Sequence, residues 1–307
     1  MSGRTPRDPS EAPADAGTRM LVLSPSRAGD FRSCPLLYRF RAIDRLPEPP
    51  SRPAVRGTLV HAVLERMFTR AAGDRTEGRT IDSIEGLWSE MRNDQPDLVD
   101  LVPDADREPW LAEAAGLVRA YFRLEDPAGF SPQACEEPVQ LTLTIVPADL
   151  AEPGEPPDRA EPTGVPLKGF IDRIDVAATG EVRIVDYKTG RSPSEHYETA
   201  VLYQLKFYAM MLQHLRGVLP TELKLIYLGD STALRYRPDQ QELDAFERGV
   251  VALWRTIWSA AQTGDFPARR SSSCRWCAHQ AMCPEFGGTP PPYPGMPGTD
   301  QTIGPGR

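Results

Sequence analysis

Alternating apolar and polar positions predict β-strands in the second half of the chain. The segments "PVQLTLTIV" and "LKGFIDRIDVAATGEVRIVDYKTG" alternate with the period of two that strands require. A Gly-containing turn at residues 178–180 divides the second segment into two runs, which predicts a hairpin. Two further strands are predicted in "LKLIYLGD" and "ALRYRP". Together these segments predict a sheet.

Apolar residues three and four positions apart predict helices before, between and after these strands. The segment "LSPSRAGDFRSCPLLYRFRAI" opens at a candidate N-cap, Ser24 or Ser26, and "VRGTLVHAVLERMFTRAA" is amphipathic. Similar spacing occurs at residues 110–124, at residues 198–215 and in "QELDAFERGVVALWRTIWSAAQTG", which ends at Gly264. The order of elements predicts an α/β fold with a helical N-terminal portion.

Composition divides the 307 residues into one folded domain and two tails. Residues 1–19 lack hydrophobic periodicity, and residues 289–307 are rich in Pro and Gly, so both are predicted to be disordered. An acidic, Pro-rich connection at residues 148–164 joins two predicted strands. The folded domain is therefore predicted to span residues 20–288.

Charge and hydropathy exclude several classes of protein. The formal net charge of −8 argues against a uniformly basic protein that coats nucleic acid, although a basic groove remains compatible with it. Neither a signal peptide nor an apolar run of about 18 residues is present, which predicts a cytoplasmic protein without a membrane partner. The phosphate-binding pattern GxxxxGK[ST] does not occur, so the chain is not itself an ATP-driven helicase.

The predicted hairpin brings acidic and basic side chains together. Period two places Asp186 and Lys188 on one face of the second strand, and the turn brings Asp172 roughly opposite Asp186. Two neighbouring carboxylates repel each other, and oxygen ligands of this kind suit Mg²⁺ or Mn²⁺. A lysine beside such a metal can orient a water molecule that attacks a phosphodiester. The alternative is a solvated ion pair at the end of a strand.

Four short motifs carry a resemblance to a known family. They are "GTLVH", "GFID", "DYKT" and "QLKFY", which match the family patterns G-x-x-x-H, G-x-x-D, D-Y-K-T and Q-x-x-x-Y in the same order. The chain therefore resembles the RecB-like exonucleases of the PD-(D/E)xK nuclease superfamily, the branch that includes AddB-like and Cas4-like nucleases. The resemblance covers residues 21–288. It implies a restriction-endonuclease-like mixed sheet flanked by helices.

The resemblance also implies roles for individual residues. The implied ligands of Mg²⁺ or Mn²⁺ are His61, Asp172, Asp186 and Glu136. Glu137 is the alternative to Glu136, Lys188 would orient the attacking water, and Gln204 and Tyr208 would support the site or the substrate. The implied activity is that of a metal-dependent DNA nuclease, an exonuclease on single-stranded DNA or frayed ends in recombination or repair. The competing interpretation is a catalytically weak DNA-binding or scaffold subunit of a helicase–nuclease complex.

The cysteines predict a second metal site. Three of the five form the pattern C-x₂-C-x₅-C near the C-terminus, namely Cys274, Cys277 and Cys283. By their chemistry alone they could bind Zn²⁺, completed by His279, or an iron–sulfur cluster. The resemblance implies a [4Fe–4S] cluster with Cys34 as the fourth ligand, which would staple the N-terminal helices to the C-terminal segment. Cys135 lies outside this pattern and is predicted to be a buried or incidental thiol.

Basic residues near the cysteines are candidate contacts for DNA phosphates. They lie in "RFRAIDR" and "ARRSSSCRW" and are Arg39, Arg41, Arg269 and Arg270. The predicted partners are therefore DNA and, from the resemblance, a helicase or another repair protein.

Overall fold

The structure is a computed structural model that describes residues 21–145, 162–192 and 198–296. The predicted N-terminal tail and most of the acidic connection at 148–164 lie outside the described residues. Within the described ranges, no helix is long and apolar enough to cross a bilayer.

Five strands form one mixed sheet. They are β1 (Ala134–Thr144), β2 (Gly164–Val176), β3 (Val182–Lys188), β4 (Glu222–Tyr227) and β5 (Thr232–Tyr236). The strands lie in chain order; β3 and β4 are parallel, and every other neighbouring pair is antiparallel. The predicted α/β class and the predicted hairpin, now β2 and β3, are confirmed.

The helices precede the sheet, cross over between β3 and β4, and follow β5. They are α1 (Pro25–Ser33), α2 (Pro35–Tyr38), α3 (Arg52–Phe68), α4 (Glu77–Asp82), α5 (Ile84–Asp94), α6 (Leu98–Leu101), α7 (Asp104–Leu124), α8 (Glu198–Arg216) and α9 (Gln240–Thr263). Ser24 caps α1 by accepting a hydrogen bond from the Arg27 N–H, and Gly264 ends α9 with φ of 73°. A Cβ at Gly264 would lie 2.8 Å from the Tyr293 ring, which is a second reason for glycine there.

The sheet separates two hydrophobic cores. One core packs α1, α2, α8 and α9 against side chains such as Ile184, and the other packs α3, α5 and α7 against side chains such as Val185. Because adjacent residues of a strand point to opposite faces, β3 contributes to both cores. The result is a three-layer arrangement in which either helical layer can reach the same strand ends.

Pairing between β2 and β3 stops before either strand ends. The ladder runs from Val176↔Val182 to Arg173↔Val185, and the next pair would be Asp172 with Asp186. Instead, the Tyr187 N–H donates to Asp172 Oδ2 at 2.7 Å. We call this point, marked by Asp172 and Asp186, the fork. It opens the sheet where the predicted catalytic residues lie.

The C-terminal segment differs from its prediction as an unpacked tail. Among the described residues 289–296, Tyr293 packs against Phe266 and donates a hydrogen bond from its hydroxyl to the Ala261 carbonyl at 2.5 Å. The Arg39 guanidinium lies over the same ring, with its Cζ 5.3 Å from the ring centroid. Arg39 also donates to the Pro291 carbonyl, and Met296 packs against the same core, so a few contacts hold this extended chain without any periodicity and the prediction is wrong for this part of the tail.

Candidate active site

Three side chains at the fork form a closed ring of polar contacts. Lys188 Nζ lies 2.7 Å from Asp186 Oδ2, an ion pair, and donates to Gln204 Oε1 at 2.8 Å. The Gln204 amide in turn donates to Asp186 Oδ1 at 2.8 Å. Asp186 is 2% exposed, whereas the Lys188 side chain is 33% exposed. The ring therefore holds the solvent-accessible Lys188 ammonium beside the buried Asp186 carboxylate.

Asp172 faces this ring from β2. Its position opposite Asp186 agrees with the strand register, and its side chain is almost fully buried. Burial, followed by the nearby charge of Asp186, raises the pKa of Asp172 to about 7. The charge of Asp186 therefore opposes ionisation of Asp172 at this buried place. A bound cation would relieve this repulsion.

His61 reaches the fork from α3, in the opposite helical layer from Gln204. Its Nε2 lies 3.0 Å from the Tyr187 carbonyl, which can only accept, so Nε2 carries a proton and Nδ1 faces the carboxylates. Nδ1 lies 3.4 Å from Glu136 Oε1 and 3.6 Å from Asp172 Oδ2. Burial lowers the pKa of His61, but Glu136, Asp172 and Asp186 outweigh it and raise that pKa to about 9.

A glycine in α3 sets how closely that helix approaches β3. A Cβ at Gly57 would lie 3.3 Å from Thr189 Oγ1, so helix α3 passes close to Thr189 at this point. Gly57 is the first residue of "GTLVH", and Thr189 is the last residue of "DYKT". His61 lies one helical turn beyond Gly57. The close passage therefore carries the imidazole to the fork.

Glu136 enters the site through an unusual backbone conformation. It lies opposite Asp172 in the β1–β2 register, between the pairs Cys135↔Arg173 and Glu137↔Ile171, and has φ of 47°. Such a conformation costs about 1–3 kcal/mol in a non-glycine residue and is concentrated at functional sites. Glu137, the alternative, lies 3.3 Å from the Arg216 guanidinium instead.

Among the described residues, one group offers three ligand atoms close enough for a single metal ion. Donor atoms of His61, Glu136 and Asp172 all lie within 4.8 Å of one another. Asp186 is outside this group, with its two oxygens engaged by Lys188 and Gln204. The structure thus brings the four predicted metal ligands to the fork together with Lys188 and Gln204. Three of the candidate ligands form one group, and the fourth, Asp186, belongs to the Asp186–Lys188–Gln204 ring.

Tyr208 lines the site from α8. A Cβ at Gly169 would lie 2.5 Å from the Tyr208 ring, which explains the glycine that precedes Asp172 by three residues. Burial raises the pKa of Tyr208 to about 12, although hydrogen bonds with the Gln204 side chain and the Phe170 backbone oppose the shift. Tyr208 therefore serves as a neutral hydrogen-bonding group.

A buried charge network on the reverse face of the sheet is the part of the site that sequence patterns do not predict. Arg173 is 0% exposed and donates to Tyr187 Oη at 2.7 Å and to Glu125 Oε2 at 2.7 Å. Glu125 also binds Lys224, and Asp175 lies 3.0 Å from the Arg173 guanidinium. This network anchors Tyr187, whose backbone binds both Asp172 and His61. The sequence signals for it are charged residues inside apolar strands, namely Arg173 and Asp175 in "FIDRID" and Lys224 in "LKLIY".

The four predicted cluster ligands line one cavity. Cys34, Cys274, Cys277 and Cys283 surround a space of about 50 Å³ between α1–α2 and the C-terminal turns. Backbone N–H groups donate to two of the sulfurs, from Arg269 to Cys34 Sγ at 3.4 Å and from Ser271 to Cys274 Sγ at 3.3 Å. The arrangement suits thiolate ligands, whose charge such donors stabilise.

Two other cysteine-region predictions are resolved by the structure. His279, the candidate fourth zinc ligand, is outside the residues that line the cavity and instead lies 2.7 Å from Glu48 Oε1. Cys135 is half-buried, and burial raises the pKa of its thiol to about 11, in keeping with an unreactive side chain.

The predicted phosphate contacts are largely engaged within the protein. Arg39 is buried and paired with Asp44 at 3.0 Å, so its prediction as a DNA contact is wrong. Arg41 is paired with Asp30 and Glu48, and Arg269 donates to the Arg32 carbonyl. The Arg270 guanidinium lies over the Phe286 ring. Carboxylates therefore pair with Arg39 and Arg41, whereas Arg269 and Arg270 contact uncharged groups of the protein.

The sequence and the fold of the chain are similar to those of known proteins. A model of the PD-(D/E)XK nuclease superfamily matches residues 22–284. The chain is 23% identical over 295 residues to the gene 69 protein of Mycobacterium phage L5, covering 89% of this chain and 99% of that one. It is 22% identical over 276 residues to the gene 69 protein of Mycobacterium phage D29, covering 87% and 98%. The crystal structure of a candidate exonuclease from Eubacterium rectale superposes with a TM-score of 0.55 at 13% identity, covering 89% of this chain and 94% of that chain, which shows a shared fold.

Proposed function

The chain belongs to the PD-(D/E)XK nuclease superfamily, and from that premise we propose that it is a metal-dependent DNA nuclease that hydrolyses phosphodiester bonds. The observation that carries the proposal is the fork itself, where the Asp186–Lys188–Gln204 ring stands beside the ligand group of His61, Glu136 and Asp172. The competing interpretation, a catalytically weak DNA-binding or scaffold subunit, does not account for a closed ring that holds an accessible lysine. A purely structural ion pair needs neither the amide bridge nor the strained Glu136.

The donor set fits a hard divalent cation. One imidazole nitrogen and two carboxylates are the ligands that Mn²⁺ accepts, and the carboxylates also suit Mg²⁺. His61 Nδ1, Glu136 and Asp172 would hold the ion, with Asp186 at its side. When bound, the cation supplies Lewis-acid polarisation of the phosphate and lowers the pKa of a coordinated water. It would also favour ionised Asp172 and neutral His61, because it repels protons from both.

Lys188 is the residue that acts on the reactants. Its ammonium is a hydrogen-bond donor that Asp186 and Gln204 hold in one place, with a third of the side chain open to solvent. From there it orients the attacking water and stabilises the negative charge that develops on the phosphate oxygens. Gln204 is a positioning residue, because it bridges Lys188 and Asp186.

Cleavage of end-labelled DNA tests this proposal. Purified protein with Mg²⁺ or Mn²⁺ is incubated with single- and double-stranded substrates beside Lys188→Ala and the control Lys206→Ala. Lys206 is a lysine of the same helix as Gln204 that pairs with Glu242 at 2.6 Å. We expect Lys188→Ala to slow cleavage about 10²- to 10³-fold, as for loss of a charge-stabilising donor. Equal rates for wild type and Lys188→Ala on every substrate would refute it.

The finer proposal is an exonuclease of DNA recombination or repair. The resemblance to RecB-like exonucleases supports it, as does the fold shared with the candidate exonuclease. An exonuclease degrades linear single-stranded DNA and spares a covalently closed circle of the same sequence. Cleavage of both at the same rate would identify an endonuclease instead.

An exonuclease of repair also needs unwound DNA ends, which a helicase or another repair protein would supply. Co-purification of this protein with proteins of its native host would test for such a partner.

We extend the proposal to a [4Fe–4S] cluster held by the four cavity-lining cysteines. The support for it is the cavity that Cys34 shares with Cys274, Cys277 and Cys283, because it brings together the one early and three late cysteines that the resemblance assigns to a cluster. A zinc ion is the alternative, and metal analysis distinguishes the two. Anaerobically purified protein should be brown and contain iron; a colourless protein with stoichiometric zinc would overturn this part.

A further inference from the structure

A groove leads away from the fork along the edge of β2. It has a volume of about 760 Å³, and its walls come from α1, from β2 and from α8. Asp172 and Gln204 lie at its inner end, while Arg32, Lys168, Phe170 and Tyr203 line the rest. Its volume falls in the range of about 300–1,000 Å³ that encloses compact ligands, which is suited to a few nucleotides and not to a duplex.

Phe170 is the unusual side chain of this groove. It is 60% exposed, although it lies in β2 only two residues before the buried Asp172. Leaving a Phe side chain in water forfeits about 1.5–3 kcal/mol of burial. Because alternate residues of a strand share a face, Phe170 presents its ring on the same side as the Asp172 carboxylate. An exposed ring at this place is a platform for an unpaired base.

Positive charge accompanies the ring. Lys168 is an exposed neighbour in the same strand, and burial together with the positive charges of Arg27 and Arg45 lowers its pKa. On the opposite wall, the Arg32 guanidinium lies over the Tyr203 ring, 4.6 Å from its centroid. The groove is therefore basic along its walls and acidic only at its inner end. This order suits a polyanion whose backbone follows the walls and whose scissile phosphate reaches the fork.

We propose that this groove binds a single-stranded segment of the substrate beside the scissile phosphate, with Phe170 stacking on an unpaired base and with Lys168 and Arg32 contacting phosphates. The proposal rests on the proposed function for the identity of the inner site. It makes Phe170 the residue that selects single strands, because the faces of paired bases in a duplex are already covered by their neighbours. Lys168 and Arg32 contribute affinity without sequence preference.

Binding measurements separate these contributions. Fluorescence anisotropy with a labelled oligothymidylate and with a blunt duplex is measured in Ca²⁺, in the Lys188→Ala background that prevents cleavage. Phe170→Ala should weaken single-strand binding roughly 5- to 150-fold and leave duplex binding nearly unchanged. Phe170→Tyr should restore it. Lys168→Gln should reduce the slope of log K against log salt by about 0.7, the value for one phosphate contact on a single strand.

Matched controls lie elsewhere on the surface. Leu215→Ala removes a side chain that is 47% exposed on α8, and Arg119→Gln removes a half-exposed arginine of α7. Neither should change single-strand affinity by more than about twofold. A 2-aminopurine at successive positions of the oligonucleotide should report stacking at one position, lost in Phe170→Ala and regained in Phe170→Tyr.

The possible results each decide the matter. Unchanged single-strand affinity in Phe170→Ala, or equal losses on single strand and duplex, would overturn the groove proposal. If either result is found while cleavage still depends on Lys188, the proposal about the groove is wrong and the nuclease proposal stands. If Phe170→Ala weakens single-strand binding but the wild-type protein cleaves no substrate, the proposal that the groove binds single strands is supported and the nuclease proposal is wrong.

Discussion

The fork and the cysteine cavity are both candidate metal sites, yet they are built in different ways. The site at the fork joins residues of three strands and two long helices inside a three-layer core, and backbone groups of Tyr187 hold Asp172 and His61. The cysteine cavity is closed by three short 3₁₀ turns, Ser272–Trp276, Gln280–Met282 and Pro284–Phe286, whose residues are all exposed or half-exposed. The fork is therefore organised by the fold, whereas no residue of the three C-terminal turns is buried, and the segment is anchored between the first two turns by the buried His279, which contacts Glu48.

This difference predicts opposite responses to loss of a ligand. At the fork, protein contacts already position the side chains, so removing a ligand should abolish chemistry and leave the fold intact. At the cavity, the bound group would supply much of the stability, so removing a ligand should loosen the fold and affect chemistry indirectly. Four substitutions or conditions test the contrast, from the largest effect to the smallest.

Asp172→Asn should have the largest effect and only on activity. Loss of a metal-binding carboxylate removes several kcal/mol of transition-state stabilisation, or about 10³-fold in rate. The pKa of Asp172 is raised to about 7, so its ionisation destabilises the fold as pH rises through 7. The neutral amide should therefore keep or raise Tm at pH 8, measured by calorimetry. Asp175→Asn, three residues away, should lower Tm because Asp175 pairs with Arg173 and Arg183.

Cys274→Ser should act mainly on stability. If a cluster joins Cys34 to the C-terminal turns, its loss removes a long-range cross-link and should cost about 2–4 kcal/mol of unfolding free energy, the typical value for a single cross-link. Denaturant unfolding would measure this loss of unfolding free energy, and limited proteolysis would show faster cleavage near residues 269–288. Cys135→Ser is the control, because Cys135 lies outside the cavity. Equal stability of the two variants would contradict a staple at the cavity.

Acid should weaken the network that supports the fork. Burial opposes ionisation of Glu125, but hydrogen bonds and charges from Arg173 and Lys224 outweigh it and lower its pKa to about 2. A lowered folded-state pKa adds stability that is complete above about pH 4.5 and is lost as pH falls toward 2. The contribution is about 3 kcal/mol. Urea unfolding between pH 5 and pH 2.5 should show this dependence, and it should be reduced in Glu125→Gln.

Gly57→Ala should have the smallest effect. The new Cβ would lie 3.3 Å from Thr189 Oγ1, which pushes α3 slightly from β3 and displaces His61. We expect about a tenfold loss of rate, since small misplacements at an active site are costly, and a change in stability within about 1 kcal/mol. The control is Gly86→Ala in α5, where a Cβ meets nothing within 4 Å. A loss of rate in Gly86→Ala as large as in Gly57→Ala would contradict this explanation.

Local patterns predict much of the fork because its residues lie on regular elements. Period two alone places Asp186 and Lys188 on one face, and the hairpin turn places Asp172 opposite, as the strand register shows. The motif spacing also leads to His61 and Gln204, which come from separate helices. Composition, by contrast, gives a wrong prediction for residues 289–296, since a few contacts of Tyr293, Met296 and the Pro291 carbonyl hold this Pro/Gly-rich segment against the core.

Other features depend on tertiary contacts that no local pattern encodes. In the Arg173–Glu125–Lys224 network, Glu125 pairs with residues 48 and 99 positions away in the chain. Arg173 and Lys224 stand out as charges inside apolar strands, but no local pattern predicts that Glu125 pairs with both. Helices α4 and α6 are too short, at six and four residues, to show a sustained apolar spacing. Helix α5 does carry that spacing, at Ile84, Leu87, Trp88 and Met91, so a local pattern for it is present in the sequence. The groove is formed only when α1 meets β2 and α8, so Phe170 appears in sequence as one more apolar strand residue.

The most direct test of the account is to separate metal binding from cleavage in Lys188→Ala. Titration calorimetry with Mn²⁺ gives the affinity of the metal, and single-turnover cleavage of end-labelled single-stranded DNA gives the rate of chemistry. Since Lys188 is assigned to the reactants and not to the ligand group, the variant should bind Mn²⁺ as tightly as wild type or more tightly, while cleaving at least about 10²-fold more slowly. Loss of Mn²⁺ binding together with activity, or cleavage at the wild-type rate, would contradict the account.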